Sequence, residues 1–187
     1  MHPLDRLFRF VLPPGAAAVL LTVTTVGWFT QPDRYAKGYA PEQPIAFSHE
    51  LHAGTLKVPC AYCHSGASRS RVAGIPSVET CIGCHRVTKT DSPQIQKLTA
   101  IYNSGKALEW KRVHSLPDHV YFDHRPHVAA GIACQTCHGE VQTMKVVSRE
   151  MSLRMGNCLG CHRDPHEALP KDSAIKRGSE NCAACHR

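Results

Sequence analysis

Five short motifs of the form C-x-x-C-H account for every cysteine in this 187-residue chain. Two thiols one helical turn apart can bond the two vinyl groups of a porphyrin, and the histidine that follows can bind its iron. The sequence therefore predicts five covalently bound haem c groups. The predicted thioether positions are Cys60, Cys63, Cys81, Cys84, Cys134, Cys137, Cys158, Cys161, Cys182 and Cys185, and the predicted proximal ligands are His64, His85, His138, His162 and His186.

Zinc binding and disulfide formation are the alternative uses of paired cysteines. The spacing from Cys63 to Cys81, and that from Cys137 to Cys158, fits a four-cysteine zinc site. Five pairs, however, leave a remainder when they are divided into such sites, and all five carry an adjoining histidine. A disulfide framework gives no reason for these histidines. The pattern favours haem over both.

A second motif, F-x-H-x-x-H, occurs twice, and each copy stands before two C-x-x-C-H motifs. Residues 47–86 and 122–163 are therefore an internal repeat, to which a fifth haem motif at 182–186 is appended. Histidines three residues apart cannot bind opposite faces of one iron, but they can point at two neighbouring haems. The motif predicts four distal iron ligands: His49, His52, His124 and His127.

A fifth distal ligand is expected between the two repeats. His114 and His119 lie in the connecting segment, and His166 follows the fourth haem motif, where an exposed loop position is expected. Met155, three residues before Cys158, is an alternative distal ligand, and packing of its thioether against a porphyrin is the other interpretation.

The composition predicts a thin apolar core. Only five Phe, five Tyr and two Trp are present against thirteen Gly and thirteen Pro, so porphyrins would have to fill the interior. We expect mostly short α-helices and irregular loops wrapped around five haems. One amphipathic helix is predicted, with Ser92 as its N-cap, Gly105 as its stop and Ile95, Leu98, Ile101 and Tyr102 on one face.

The net charge of +7 comes from scattered basic residues, and no nucleic-acid-binding motif is present. We therefore expect no nucleic-acid partner. Haem propionates can offset the excess positive charge.

An uncharged segment at residues 10–32 predicts one transmembrane anchor, because its length suits a hydrocarbon core of about 30 Å. Arg6 and Arg9 precede it, so residues 1–9 are expected in the cytoplasm and the haem domain, 33–187, on the periplasmic side of the inner membrane. A cleaved signal peptide is the alternative, although no clean A-x-A site precedes Trp28.

Several segments resemble those of class III multihaem cytochromes c: FSHELHAG, AGIPSVETCIGCH, WKRVHSLPDHVYFDHRPH and MGNCLGCHR. Their order along the chain is similar to that in the pentahaem subunit of alternative complex III. The resemblance implies that His49 and His124 ligate the haems of the first and third motifs, and that the other distal histidines, His52, His127 and His114, reach across to haems of other motifs. It also implies that Met155 occupies a recurrent position, whereas His119 stands where an apolar residue is expected.

The resemblance further implies the function of an electron-transfer subunit. Irons ligated on both faces relay single electrons and perform no bond chemistry, so a non-catalytic subunit of a quinol-oxidising complex is expected, without catalytic residues. The implied partners are integral quinol-binding subunits, an iron–sulfur subunit and a monohaem cytochrome c, with a periplasmic cytochrome or an oxidase as acceptor.

Two alternatives share these features. One is a stand-alone membrane-anchored multihaem quinol dehydrogenase, and the other is a subunit of a related quinone-reductase complex with reverse electron flow. A pentahaem nitrite reductase is disfavoured, because it usually carries CxxCK and all five motifs here end in histidine.

Overall fold

The computed structural model describes residues 2–30 and 36–187, which fall into two compact units, Met1–Lys37 and Gly38–Arg187. The first unit is a helical run, α1 (Pro3–Phe29), with π-helical turns at Leu7–Val11. It is long and apolar enough to cross a membrane, a property that anchors and signal sequences share. Helix α1 begins earlier than the predicted segment, and the predicted end at residue 32 lies outside the described residues.

The second unit consists of short helices joined by loops, as the composition predicts. In its described residues the only β-pairing is an isolated bridge between Val120 and His186. A 3₁₀ turn occupies Val141–Thr143. The helices are α2 (Glu50–Thr55, π-helical), α3 (Cys60–Cys63), α4 (Val78–His85), α5 (Pro93–Asn103), α6 (His124–Ala129), α7 (Gln135–His138), α8 (Met155–Arg163) and α9 (Cys182–Cys185).

Each C-x-x-C-H motif lies on a helical turn, and in four of the five the residue before the helix is extended. Those four residues are Pro59, Ser77, Arg154 and Asn181. The side chain of Asn181 accepts a hydrogen bond from the backbone N–H of Ala183, which caps the four-residue helix α9 at its start. The helical turn brings the two cysteines of each motif to one side, as attachment to one porphyrin edge requires.

The apolar core is thin, as predicted. Among the described residues only Ile45, Val78, Ile82 and Leu98 are buried hydrophobic residues, and they form one cluster where α4 meets α5. The predicted helix is confirmed: α5 begins after Ser92, and Gly105 beyond its end has a positive φ of 67°. Its apolar face packs on this cluster.

The two repeats contact each other through backbone groups. The N–H of Glu50 donates to the carbonyl of Met144 over 2.9 Å, and the N–H of His124 donates to the carbonyl of Arg71 over 3.2 Å. At Gly54 the two segments pass so closely that a Cβ would collide with the carbonyl oxygen of Gln142. These contacts place the distal histidines of the second repeat beside the first.

Candidate haem sites

Four pairs of histidine rings lie 6.0 to 6.5 Å apart, and each pair joins a histidine of an F-x-H-x-x-H motif to a histidine of a C-x-x-C-H motif. The ring planes are 3° to 30° apart in three of the pairs and 67° apart in the pair of His52 and His85. Two imidazoles that bind one metal through bonds of about 2 Å have ring centres roughly 6 Å apart. The four pairs have this spacing and so fit a haem iron between them. They are His49 with His64 (6.5 Å), His52 with His85 (6.1 Å), His124 with His138 (6.4 Å) and His127 with His162 (6.0 Å).

Hydrogen bonds donated to backbone carbonyls orient most of these rings. An imidazole that donates Nδ1–H to a carbonyl keeps Nε2 available as a metal ligand. The Nδ1 atoms with a carbonyl partner are those of His64 (Gly74, 2.7 Å), His85 (Thr88, 3.1 Å), His162 (Ser179, 2.5 Å), His52 (Ser48, 2.8 Å), His124 (Arg71, 2.9 Å) and His127 (Asp123, 2.8 Å).

The phenylalanine of each F-x-H-x-x-H motif packs against both histidines that follow it. Phe47 stacks on His52 with ring centres 4.3 Å apart and meets His49 edge-on at 4.8 Å. In the second repeat the same two contacts, with the same residue spacing, measure 4.6 Å and 4.8 Å from Phe122. Each phenylalanine therefore holds two distal histidines at a fixed angle. Sequence reasoning missed this role, although the aromatic residue recurs at the start of both copies.

Burial keeps two of the paired rings neutral, which is the form that binds iron. It lowers the pKa of His49 to about 4, with smaller contributions from His64 and His52. It also lowers the pKa of His138, to which His124 and His64 add. The influence of His64 on His138 indicates that the first and third motifs are close neighbours.

His114 does not face a proximal histidine across the space that an iron needs. Its ring centre is only 4.5 Å from that of His138 and the two planes meet at 80°, while His138 already faces His124. The Nε2 atom of His114 is enclosed by protein atoms without a hydrogen-bond partner. The pKa of His114 is lowered to about 4, mainly by burial and to a smaller extent by His138 and Arg149. The structure thus brings His114 to the third motif, against the ring of its proximal histidine.

The remaining candidates lie in different surroundings. The ring of His119 is 5.8 Å from that of His186, and its own carbonyl is 3.3 Å from the Nδ1 of His186. Met155 is the first residue of α8 and is 60% exposed. His166 lies 3.9 Å from Asp164 with its side chain 67% exposed, in agreement with the predicted loop position.

Thiols of different motifs lie close enough to act on each other's pKa in four pairs, which join the second motif with the first, the first with the third, the third with the fourth, and the fourth with the fifth. Burial raises the pKa of one thiol at each junction, and a thiol of the next motif raises it further. The junctions are Cys63 with Cys84, Cys134 with Cys60, Cys137 with Cys161, and Cys158 with Cys185.

Neither alternative use of the cysteines fits this arrangement. All ten cysteines are free thiols. Across residues 2–30 and 36–187 no three side chains of His, Cys, Asp or Glu converge in a group that could hold a metal ion. Zinc in a structural site needs four such ligands in a tetrahedron. Paired imidazoles above adjacent thiols suit covalent haem instead.

Comparison with known proteins identifies the same chemistry. Residues 27–112 match the class III cytochrome C family, and residues 120–187 match the family of cytochrome c7 and related cytochrome c. The chain is similar to the "Menaquinone reductase, multiheme cytochrome c subunit" of Nitratidesulfovibrio vulgaris (strain Hildenborough). The two are 26% identical over 190 residues, which cover 90% of this chain and 87% of the relative.

Proposed function

Because the chain is a multihaem cytochrome c of the class III and c7 type that binds haem c covalently, we propose that it relays electrons through five haems as a subunit of a quinone-linked membrane complex. The observation that carries the proposal is the set of four facing histidine pairs at 6.0 to 6.5 Å. A histidine on each face leaves an iron without an open position, which suits electron transfer.

Each repeat holds two haems in this proposal. In the first repeat, His49 and His64 ligate the haem of Cys60 and Cys63. His52 reaches across to His85 on the haem of the second motif. The second repeat has the same arrangement, in which His124 pairs with His138 and His127 with His162. The haem irons supply one-electron chemistry, and the histidines fix where the irons lie.

The order of neighbouring motifs defines the electron path. We place the haem of the second motif at one end, followed by the haems of the first, third, fourth and fifth motifs. Within each repeat, the three-residue spacing of the distal histidines joins two consecutive haems. Between the fourth and fifth motifs, the N–H of Gly178 donates to the carbonyl of His162 over 2.7 Å, and Arg163 pairs with Glu180 at 2.8 Å.

Different observations support the two possible directions of electron flow. The order of motifs resembles that of alternative complex III, which supports quinol oxidation with a periplasmic cytochrome or an oxidase as acceptor. The similarity to the menaquinone reductase subunit of Nitratidesulfovibrio vulgaris supports the second candidate, reduction of menaquinone. In both cases α1 serves as an uncleaved single-pass anchor and the haem domain is periplasmic. Quinone-binding membrane subunits, an iron–sulfur subunit and, for quinol oxidation, a monohaem cytochrome c are the proposed partners.

We expect the mature chain to carry five covalent haems, because each of the five C-x-x-C-H motifs is complete. Intact-mass spectrometry and the alkaline pyridine spectrum should both return five haems per chain. A mass excess of four haems would contradict the stoichiometry. N-terminal sequencing of the same membrane-purified sample should begin near Met1, and a start near residue 30 would identify α1 as a cleaved signal sequence.

The quinone-linked role is tested by purification in mild detergent. We expect an integral membrane protein and an iron–sulfur protein to co-purify with this chain. The purified assembly should then oxidise a quinol or reduce a quinone, and the faster direction decides between the two candidates. Isolation of the chain alone, with full quinol oxidation activity, would instead identify a stand-alone quinol dehydrogenase.

A further inference from the structure

The fifth haem motif differs from the other four in what stands near its proximal histidine. Of all histidines in the described chain, only His119 has its ring near that of His186, at 5.8 Å with the planes 17° apart, so ring spacing alone does not separate this pair from the four ligand pairs. The N–H of Tyr121 donates to the carbonyl of Cys185 over 2.8 Å, and Val120 forms a β-bridge with His186. Residues 119–121 therefore run directly beside the fifth motif.

The position of the His119 carbonyl indicates on which face of the fifth haem this segment would lie. It is 3.3 Å from the Nδ1 of His186, the atom that points away from an iron bound at Nε2. The proximal histidines of three other motifs donate to carbonyls in the same way. The backbone of His119 thus lies on the proximal face. Its side chain is too short to pass around a porphyrin edge and reach the iron from the other face.

His114 cannot take that position in this arrangement either. Its Nε2 is enclosed by protein atoms, which leaves no room for a porphyrin at that nitrogen. The four histidines of the F-x-H-x-x-H motifs are already opposite the other four proximal histidines. The exposed ring of His166 stands beside Asp164 on the loop after the fourth motif.

We infer that the fifth haem is ligated on one face only, by His186, and that its other face is a binding site for a small exogenous ligand of iron. The inference rests on the proposed five-haem relay. A five-coordinate haem binds carbon monoxide when reduced and is high-spin, whereas haems with two axial histidines are low-spin and do not bind it. The site would lie at the end of the chain of haems.

The test is carbon monoxide binding by the full-length, five-haem chain in detergent, measured with electron paramagnetic resonance of the oxidised form. We expect one carbon monoxide per five haems and one high-spin haem. Neither should change in H114A or H119A, because these residues are not ligands. The haem count from intact mass is read in the same samples, so a count below five would refute the relay and not this inference.

A wild-type chain that is fully low-spin and binds no carbon monoxide would overturn the inference. The variants then identify the distal ligand of the fifth haem, because its iron becomes five-coordinate only when that ligand is removed. Opening in H119A or H114A would assign that histidine as the distal ligand, and opening in M155A would assign the methionine. A binding stoichiometry that stays at zero in all three variants would place the ligand on a partner subunit.

Discussion

Replacement of His127 by alanine opens the iron of the fourth haem and interrupts the relay in its middle. The ring of His127 faces that of His162 at 6.0 Å, and no other described histidine faces His162. We expect a second carbon monoxide site and a second high-spin haem per chain. All five thioether attachments should survive, because the substitution lies 31 residues before Cys158 in a different element. Reduction of the third haem should no longer pass rapidly to the fifth.

The matched variant is H52A, which removes the equivalent residue of the first repeat. His52 faces His85 at 6.1 Å, so the haem of the second motif opens. That haem is at the end of the proposed order, and electron passage between the first and fifth haems should therefore persist. H166A serves as the control, because its exposed ring faces no proximal histidine. Equal interruption by H52A and H127A would contradict the proposed order, and an unchanged spectrum in either would remove that residue from the ligand set.

Substitution of Gly178 by alanine should displace His162, the proximal ligand of the fourth haem, whereas the His127 substitution removes the distal ligand of the same haem. A Cβ at this position would lie 2.6 Å from the Cγ of His162 and 3.0 Å from its Cβ. The ring cannot rotate away fully, because its own Cβ is part of the collision. Overpacking of this kind costs about 1–3 kcal/mol. We expect a lower thermal midpoint and a shifted reduction potential for one haem, measured by calorimetry and by a redox titration followed optically.

Gly156 provides the control for this experiment. It lies on α8 with His162, and an added Cβ there meets no protein atom within 4 Å. G156A should keep the wild-type reduction potentials and should not lower the thermal midpoint, because alanine is favoured over glycine within a helix. If G178A behaved like G156A, the close approach of residue 178 to the His162 ring would not exist in the haem-bearing protein.

The sequence predicts the local elements of this fold well. Each C-x-x-C-H motif lies on a helical turn, and α5 runs from Pro93 to Asn103 as the Ser92 and Gly105 signals indicate. These features depend on residues within one or two turns of each other. The three-residue spacing also predicts that His49 and His52 serve two different haems, and their rings lie beside different proximal histidines, His64 and His85.

Contacts between distant segments could not be predicted in this way. The close approach of Gly54 to Gln142 and the bond from His124 to Arg71 set the order of the motifs, and neither leaves a periodic signal. The surroundings of His114 and His119 depend on the same long-range contacts. They are five positions apart in the sequence, yet they reach the third and the fifth motif, respectively.

The thin apolar core has a consequence for how the molecule is assembled. Burial of four aliphatic side chains offsets little of the conformational entropy lost when the second unit is ordered. The polypeptide without haem is therefore expected to be unstable in its folded form. We expect haem attachment to precede folding. During synthesis His49 and His52 emerge before Cys60, and His124 and His127 before Cys134. The distal ligands of each repeat are therefore already synthesised when its porphyrins are attached. The protein can mature one repeat at a time, from its N-terminus towards its last motif.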